Sequence, residues 1–504
     1  MKYRSIEDCD SIQTELVKTL KDLLSIPSTK GVPECGAPFG KETKRALEYM
    51  LCEGNKMGFR TLDLDGFAGY IEFGEGDREI SILCHLDVVP AGEGWKFDPF
   101  TPFIQDGKLF GRGTNDDKGP AVATLYSMKS LKEQGYVPPC RIRLILGLDE
   151  ESGSQCMAHY KSKQALPDLG FTPDAKFPVI FAEKGILHIK IKGEFDTTFP
   201  ATESIVLISG FGGERANMVP ATCTISWINN PANKLITNDL FLNLSKINNK
   251  ELSADKDEKV QIYCNSADSE SVGKENMVNS NFANVSIVQK TITGAPGHAS
   301  MPEFGVNAIS KAMIELYELF ADKQMSHPFI KFYNDFFGIT TDGSLLGIDY
   351  NDCESGALTC NVGLLELTTS GVEMTVDIRY PVTANPEEIC SIIRDKCEAT
   401  GLIIDDIVDN PPLYVDKNSV LVSTLLNVYN ETTSSDSKPV AIGGGTYARS
   451  IPNIVAFGPN FIKEDDVAHQ AGEYIKLDDL FLCEKIYQKA IQALALVVTN
   501  SKNN

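Results

Sequence analysis

In Cys84-His85-Leu86-Asp87-Val88-Val89-Pro90 a histidine and an aspartate stand two apart, just beyond the apolar run Ile80–Cys84. Residues two apart in extended chain point to the same side. His85 can therefore face a metal ion while Asp87 takes its other ring proton, which fixes the tautomer and raises the ligand's basicity. About thirty residues on, the stretch Gly111-Arg112-Gly113-Thr114-Asn115-Asp116-Asp117-Lys118-Gly119 sets two carboxylates in a glycine-bounded turn. Pro120 follows, at a favoured first helical position. Asp149-Glu150-Glu151-Ser152-Gly153 closes a second apolar strand. Adjacent side chains on extended backbone diverge, so one glutamate can ligate metal while its neighbour stands free as a general base. Simple solvation of a strand end also produces acidic runs, but the end of an apolar strand is where α/β proteins build sites. Asp174 lies in the Pro-restricted turn Phe171-Thr172-Pro173-Asp174. Of the six histidines, His85, His298 (in GAPGHASMP) and His469 (in EDDVAHQAGE) sit in glycine- or proline-punctuated contexts, whereas His159, His188 and His327 read as structural or exposed. The run Ala441-Ile442-Gly443-Gly444-Gly445-Thr446 lacks the Lys and the GxGxxG pattern of a nucleotide site. Its glycines suit close approach of backbone to a substrate.

The elements that must position these residues are legible in the periodicity. Ile12, Leu16, Leu20 and Leu23 recur at helical spacing, so residues 8–24 read as an amphipathic helix, and a second carries Leu47, Met50 and Leu51. Strands follow at Tyr70–Phe73, Ile80–Cys84 and around Lys108–Phe110. A helix then runs from Pro120 to about Gln134, and a strand from Arg141 to Leu148. Helices alternating with apolar strands predict an α/β sheet covered on both faces. After Gly185 the texture changes to strand-like segments at Leu187–Lys192, Ile205–Ser209 and Thr222–Ile228. A polar, Asn-rich passage, Asn229–Asn281, comes next and reads as either a helical or a loop insertion. Beyond it come a helix at Asn307–Ala321, a strand at Gly371–Tyr380, a helix at Pro386–Thr400 and a strand near Leu402–Val408. Pro411-Pro412 reads as a return linker before Ile454–Gly458 and a closing helix at Leu480–Val497.

Composition limits the partners. The 504 residues carry a formal net charge of −22, with 42% hydrophobic and 23% charged residues, an ordinary globular balance. A chain this acidic is a poor match for nucleic acid or an anionic membrane, since phosphate recognition needs a basic face. No stretch has signal-peptide character, and none approaches the roughly twenty apolar residues that span a bilayer. The thirteen cysteines form no CxxC pair, which fits reduced thiols in a cytoplasmic enzyme better than a disulfide framework.

Taken together and in order, HLDVVP, GRGTNDDKG, DEESG, FTPD, GHASMP, DIRYP, GGGTYAR and AHQAGE resemble the metallopeptidase family of carboxypeptidase G, acetylornithine deacetylase and succinyl-diaminopimelate desuccinylase. Asn217-Met218-Val219-Pro220, DIRYP and GGGTYAR most resemble its dipeptidase V (PepV) branch. The resemblance spans nearly the whole chain, least in Asn229–Asn281. GHASMP differs in detail from the family's commoner AHGSAP form.

The resemblance implies a discontinuous α/β catalytic domain, residues 1–185 and 412–504, whose mixed sheet has helices on both faces. It also implies an inserted α+β lid domain, residues 186–411. Two divalent metal ions are implied, Zn2+ foremost, with Mn2+ or Co2+ as alternatives. His85 and Asp174 would hold one, Glu151 and His469 the other, and Asp116 would bridge them. Asp87 would orient His85. Glu150 would take a proton from the attacking water and pass it to the leaving amine. His298 would stabilise the oxyanion. Arg379 would pair with a substrate carboxylate, although Asp377, two residues away on an alternating strand, can claim it as an ion pair inside the lid instead. Asn217 and the backbone of Gly444, Gly445 and Thr446 would hydrogen-bond the bound peptide. The activity implied is that of a dipeptidase acting on short peptides with a free C-terminal carboxylate. The alternatives are an N-acyl amino acid amidohydrolase of the same fold and a non-catalytic binding protein. The long lid implies a monomer, with a homodimer as the alternative.

Overall fold

The computed structural model describes residues 10–195, 203–230, 286–461 and 467–500. The first helix, α1 (Ser11–Leu24), begins where Asp10 accepts the Gln13 amide and Gln13 accepts the Asp10 amide in return, a reciprocal cap. It buries Leu16, Leu20, Leu23 and Leu24. Then come α2 (Lys41–Lys56), β1 (Arg60–Leu64), β2 (Ala68–Phe73), β3 (Glu79–His85), α3 (Lys118–Glu133), β4 (Arg141–Gly147), α4 (Gln155–Lys163), β5 (Leu169–Thr172) and β6 (Ile180–Glu183). Pro120 is the third residue of α3 rather than its first. Its missing N–H is still among the first four, which have no intrahelical acceptor. After the intervening unit the chain adds β7 (Leu413–Tyr414), α5 (Val420–Thr433), β8 (Val440–Ile442), β9 (Ile454–Ala456) and α6 (Leu477–Asn500).

These nine strands form one mixed sheet in the order β1-β2-β4-β3-β5-β9-β6-β7, with β8 beside β6. The central strands β4, β3, β5 and β9 run parallel, while β1 and β2 pair antiparallel at one end. Side chains alternate between the faces. Ile71 of β2 meets α2 at Gly54, whereas its neighbour Glu72 turns the other way to pair with Arg143, which also bonds Tyr160 of α4. Helices therefore cover both faces. Buried Ile80, Ile82, Leu144, Leu146, Leu125 and Ile491 mark the core between sheet and helices.

Contacts divide the chain into two compact units, Met1–Glu183 with Leu413–Asn504, and Lys184–Pro412. The second has a seven-stranded, wholly antiparallel sheet. In spatial order its strands are Ser286–Thr293, Thr222–Asn229, Ile205–Gly212, Thr359–Thr368, Gly371–Tyr380, Gly185–Glu194 and Ile403–Asn410. Leu187, Ile189 and Ile191 join one apolar cluster with Ile309 and Leu316 of helix Ala308–Asp322, Phe332 of Pro328–Phe336 and Ile393 of Pro386–Glu398. Alternation sends His188, Lys190 and Lys192 to the opposite face. Residues 231–281 of the Asn-rich passage lie outside the described residues. The described cysteines are all unpaired. Among the described residues no helix is long and apolar enough to cross a membrane.

Candidate metal centre

Because β4, β3 and β5 are parallel neighbours, their C-terminal ends lie along one edge of the sheet. His85 is the last residue of β3, Asp149–Glu151 follow β4, and Asp174 follows β5. Asp116 comes from the turn leading into α3, and His469 from the segment before strand Tyr474–Lys476. These residues meet in two groups, His85 with Asp116 and Asp174, and His469 with Asp116 and Glu151. Within each group, one donor atom per residue lies within 4.8 Å of the others. His85 Nε2 is 2.9 Å from Asp116 Oδ1 and 3.7 Å from Asp174 Oδ1. His469 Nε2 is 2.9 Å from the other oxygen, Asp116 Oδ2, and 3.1 Å from Glu151 Oε2. Asp116 thus gives one oxygen to each group, as a bridging carboxylate does.

The electrostatics point the same way. Burial opposes a charged His85, but its bonds to Asp116, Asp174 and Asp87 win and raise its pKa well above the ordinary value. Hydrogen bonds donated to Asp116 and Glu151 raise His469 to about 11. Burial pushes Glu150 well up, and the charge of Asp174 adds to it. Burial and then Asp116 raise Glu151, and burial raises Asp174 against the pull of His85. The carboxylates outnumber the positive charge available to them, and two divalent cations would supply what is missing. The mixed imidazole and carboxylate donors suit Zn2+ or Mn2+, so the residues present fit a pair of divalent ions.

The sequence model of peptidase family M20/M25/M40 matches residues 82–493. The chain belongs to this family. It is a metallopeptidase. The Bacillus subtilis (strain 168) protein named "Putative dipeptidase YtjP" is 36% identical over 485 residues, covering 95% of this chain and 97% of its own. A Staphylococcus saprophyticus protein, "Putative dipeptidase SSP1012", is 34% identical over 484 residues, covering 95% and 97%. Among solved structures, aminoacylhistidine dipeptidase from Vibrio alginolyticus superposes with a TM-score of 0.57 at 14% identity, covering 98% of each chain. The Saccharomyces cerevisiae di-peptidase Dug1p gives 0.55 at 13% identity, covering 97% of this chain and 98% of its own. At such identities the structural likeness speaks for the fold, an M20-type α/β unit with an inserted α+β unit.

Around the M20 centre, some partnerships differ from those the sequence suggests. His85 Nδ1 lies 3.0 Å from the backbone carbonyl of Asp87, closer than the 3.5 Å to its carboxylate. The carboxylate is occupied instead by the amides of Glu150 (3.2 Å, Oδ1) and Glu151 (3.1 Å, Oδ2). Those glutamates occupy a turn rather than extended chain, and one buried aspartate fixes both their backbones. Asp149 is structural: fully buried, it accepts from Lys30 at 2.8 Å and from the Gln155 amide at 3.0 Å. Thr446, expected to bond a substrate through its backbone, has partners within the fold. Its amide (3.1 Å) and hydroxyl (2.6 Å) both donate to Glu183, a fully buried carboxylate that needs those donors, and Arg449 joins them at 2.7 Å. Arg449 also donates to the Gly444 carbonyl at 2.8 Å, and a β-carbon at Gly445 would lie 3.0 Å from its guanidinium carbon, a tight contact.

In the inserted unit, Met218–Val219 pairs with Gly297–His298, and the Asn217 carbonyl accepts the Ala299 amide at 2.9 Å. NMVP and GHAS are thus one small ladder. His298 Nδ1 accepts the Ser300 amide at 3.1 Å, which puts the ring proton on Nε2. Arg379 takes the internal arrangement that the sequence left open. It is buried and donates through Nε and Nη2 to the two oxygens of Asp377, at 2.6 and 2.8 Å. His188, read as structural or exposed, meets the same carboxylate at 2.9 Å. His159 stacks on Phe67 and bonds Asp65, and His327 packs edge-on against Phe195. Two residues not singled out from sequence, Arg112 and Glu473, form a buried ion pair beside Asp116. They lie inside GRGTNDDKG and AHQAGE, but 361 positions apart, and local spacing carries no sign of their pairing.

Proposed function

We propose that the chain is a dipeptidase that hydrolyses dipeptides or short peptides bearing a free C-terminal carboxylate, with two Zn2+ ions in preference to Mn2+ or Co2+. The observation that carries this reading is the sharing of Asp116 between two ligand groups, with Glu150 within electrostatic reach of both. The names of the relatives with 34–36% identity support the substrate class. In this reading His85 and Asp174 hold one cation, Glu151 and His469 the other, and Asp116 both. When bound, such ions supply Lewis acidity toward a carbonyl oxygen and an attacking water. Glu150 accepts the proton of that water and hands it to the departing amine. Asp87 sets the geometry by holding the Glu150 and Glu151 amides. His298 donates from Nε2 to the oxyanion, and Asn217 and the Gly444–Gly445 backbone bind the peptide. The bidentate Asp377 pair changes how Arg379 is tested. Arg379→Ala would leave a buried carboxylate short of its partner, so loss of activity in that variant would not isolate a substrate contact. Unpaired cysteines favour a cytoplasmic site of action, and the long inserted unit favours a monomer.

The test is a substrate panel on the parent enzyme: free dipeptides, C-terminally amidated dipeptides, N-acetyl amino acids and N-succinyl diamino acids, each with Zn2+, Mn2+ and Co2+. Free dipeptides should turn over fastest and amidated ones poorly. Faster turnover of the N-acyl compounds would replace the dipeptidase reading with an amidohydrolase.

A further inference from the structure

Glu473 follows His469 by four residues and is wholly buried. Its Oε1 accepts the amides of Asn115 (2.9 Å) and Asp116 (3.3 Å), and its Oε2 accepts the Gly113 amide (3.0 Å) and Arg112 Nη1 (2.7 Å). Arg112, equally buried, donates from Nη2 to the carbonyls of His469 (3.3 Å) and Ala91 (3.2 Å), and its guanidinium lies 5.1 Å from the Trp95 ring centre. One ion pair therefore grips the backbone of both Asp116 and His469. His469 has φ +64°, a left-handed conformation uncommon outside glycine, although histidine is among the residues that adopt it more readily.

The other ligand group has independent supports. His85 ends β3, its amide donating to Asp117 at 3.1 Å and its ring facing Asp87, and Asp174 follows β5. Neither touches the pair. Loosening the Asp116 turn would disturb both groups, but His85 and Asp174 would keep their places on the sheet, while on the other side only Glu151 would.

We propose that Arg112 and Glu473 are positioning residues that set the cation affinity of the Asp116–Glu151–His469 subsite in preference to that of the His85–Asp116–Asp174 subsite. This rests on the two-cation reading above. Such outer partners typically govern metal affinity by about 10- to 100-fold.

The experiment strips the full chain with chelator and titrates it with Zn2+ calorimetrically, alongside ultraviolet circular dichroism and melting of the stripped proteins. The parent should bind two ions in resolvable steps. Glu473→Gln should weaken one step by about 10- to 100-fold and the other markedly less. Glu151→Gln should weaken that same step. Glu473→Asp, which keeps the charge but withdraws it by one methylene, and Arg112→Lys, which keeps the charge but loses the fork, should do likewise and decide the matter if Glu473→Gln does not fold. Unchanged binding at both steps in folded Glu473→Asp and Arg112→Lys overturns the inference. Equal weakening of both steps also overturns it, because that is what general loosening of the fold produces. A parent that binds a single ion defeats the two-cation reading itself, a result distinguishable from either of these.

Discussion

Glu150 and Glu151 share a turn, and their amides go to the two oxygens of a single carboxylate, Asp87. Their side chains part company: Glu151 reaches His469 at 3.1 Å, and Glu150 lies where burial and Asp174 raise its pKa. Glu150→Gln should therefore keep both cations and lose on the order of 10²–10⁴-fold in kcat, while Glu151→Gln should lose metal. Elemental analysis of the two purified variants, beside their turnover, checks this, and the opposite pattern of metal content would exchange the two roles. His327 gives a prediction away from the centre. Burial lowers its pKa to about 4, so the folded chain resists a proton that the unfolded chain accepts below about 6.5. Stability is then full above about pH 6.5 and falls as pH drops towards 4, by up to about 1.4 kcal/mol per pH unit. His327→Phe should flatten that portion of a urea-denaturation pH profile, and an unchanged slope would count against it. At this scale the sequence revealed residues whose own type announces chemistry, such as His85, Asp116 and His469. It concealed Glu473 and Glu183, whose meaning comes from partners hundreds of residues distant.

Among the elements, β4 ends at Gly147, and the reason for a glycine at that position lies across the chain. A β-carbon there would overlap the Tyr447 ring, coming within 2.7 Å of Cζ, with the hydroxyl nearer still. That hydroxyl is 2.7 Å from Cys156 Sγ, and the ring stands edge-on to His85. Gly147→Ala should overpack the site and cost about 1–3 kcal/mol of unfolding free energy. Tyr447→Phe removes the nearest clashing atom, so the double variant should lose less than the sum of the two single losses; strict additivity in urea titrations would show that the two residues do not collide. Strands and helices with clean periodicity were legible: Glu79–His85 as an apolar run, Gly371–Tyr380 by alternation, α1 by its leucines. Others gave no such signal. β5 and β6 are four residues each and lie near Pro173 and Pro178. Helix α4 buries only Cys156, Met157 and Tyr160, too few to trace a stripe.

For the molecule as a whole, both candidate ligand groups among the described residues belong to the unit that holds α1–α6, while the inserted unit has an apolar cluster of its own. Ions that bind only the folded form stabilise it by mass action, about 2.7 kcal/mol for each at a hundred times its dissociation constant. Exhaustive chelation should abolish activity and move one calorimetric transition, that of the metal-bearing unit, to lower temperature while leaving a second in place; two unmoved transitions would argue that no ion is bound. The alternation of helix and strand made the α/β layering readable, but no local pattern says that β9 belongs between β5 and β6. That placement bears on how the protein is made. On a ribosome adding roughly 5–20 residues each second, β5 and β6 emerge with all of Lys184–Pro412 still to be synthesised before β7. For tens of seconds the nascent chain presents a sheet with its middle missing and a metal site lacking His469. The inserted unit, contiguous in sequence, can finish first. On the two-cation reading, products terminated before His469 should carry no peptidase activity, because one of the two ligand groups is incomplete until that residue has been made.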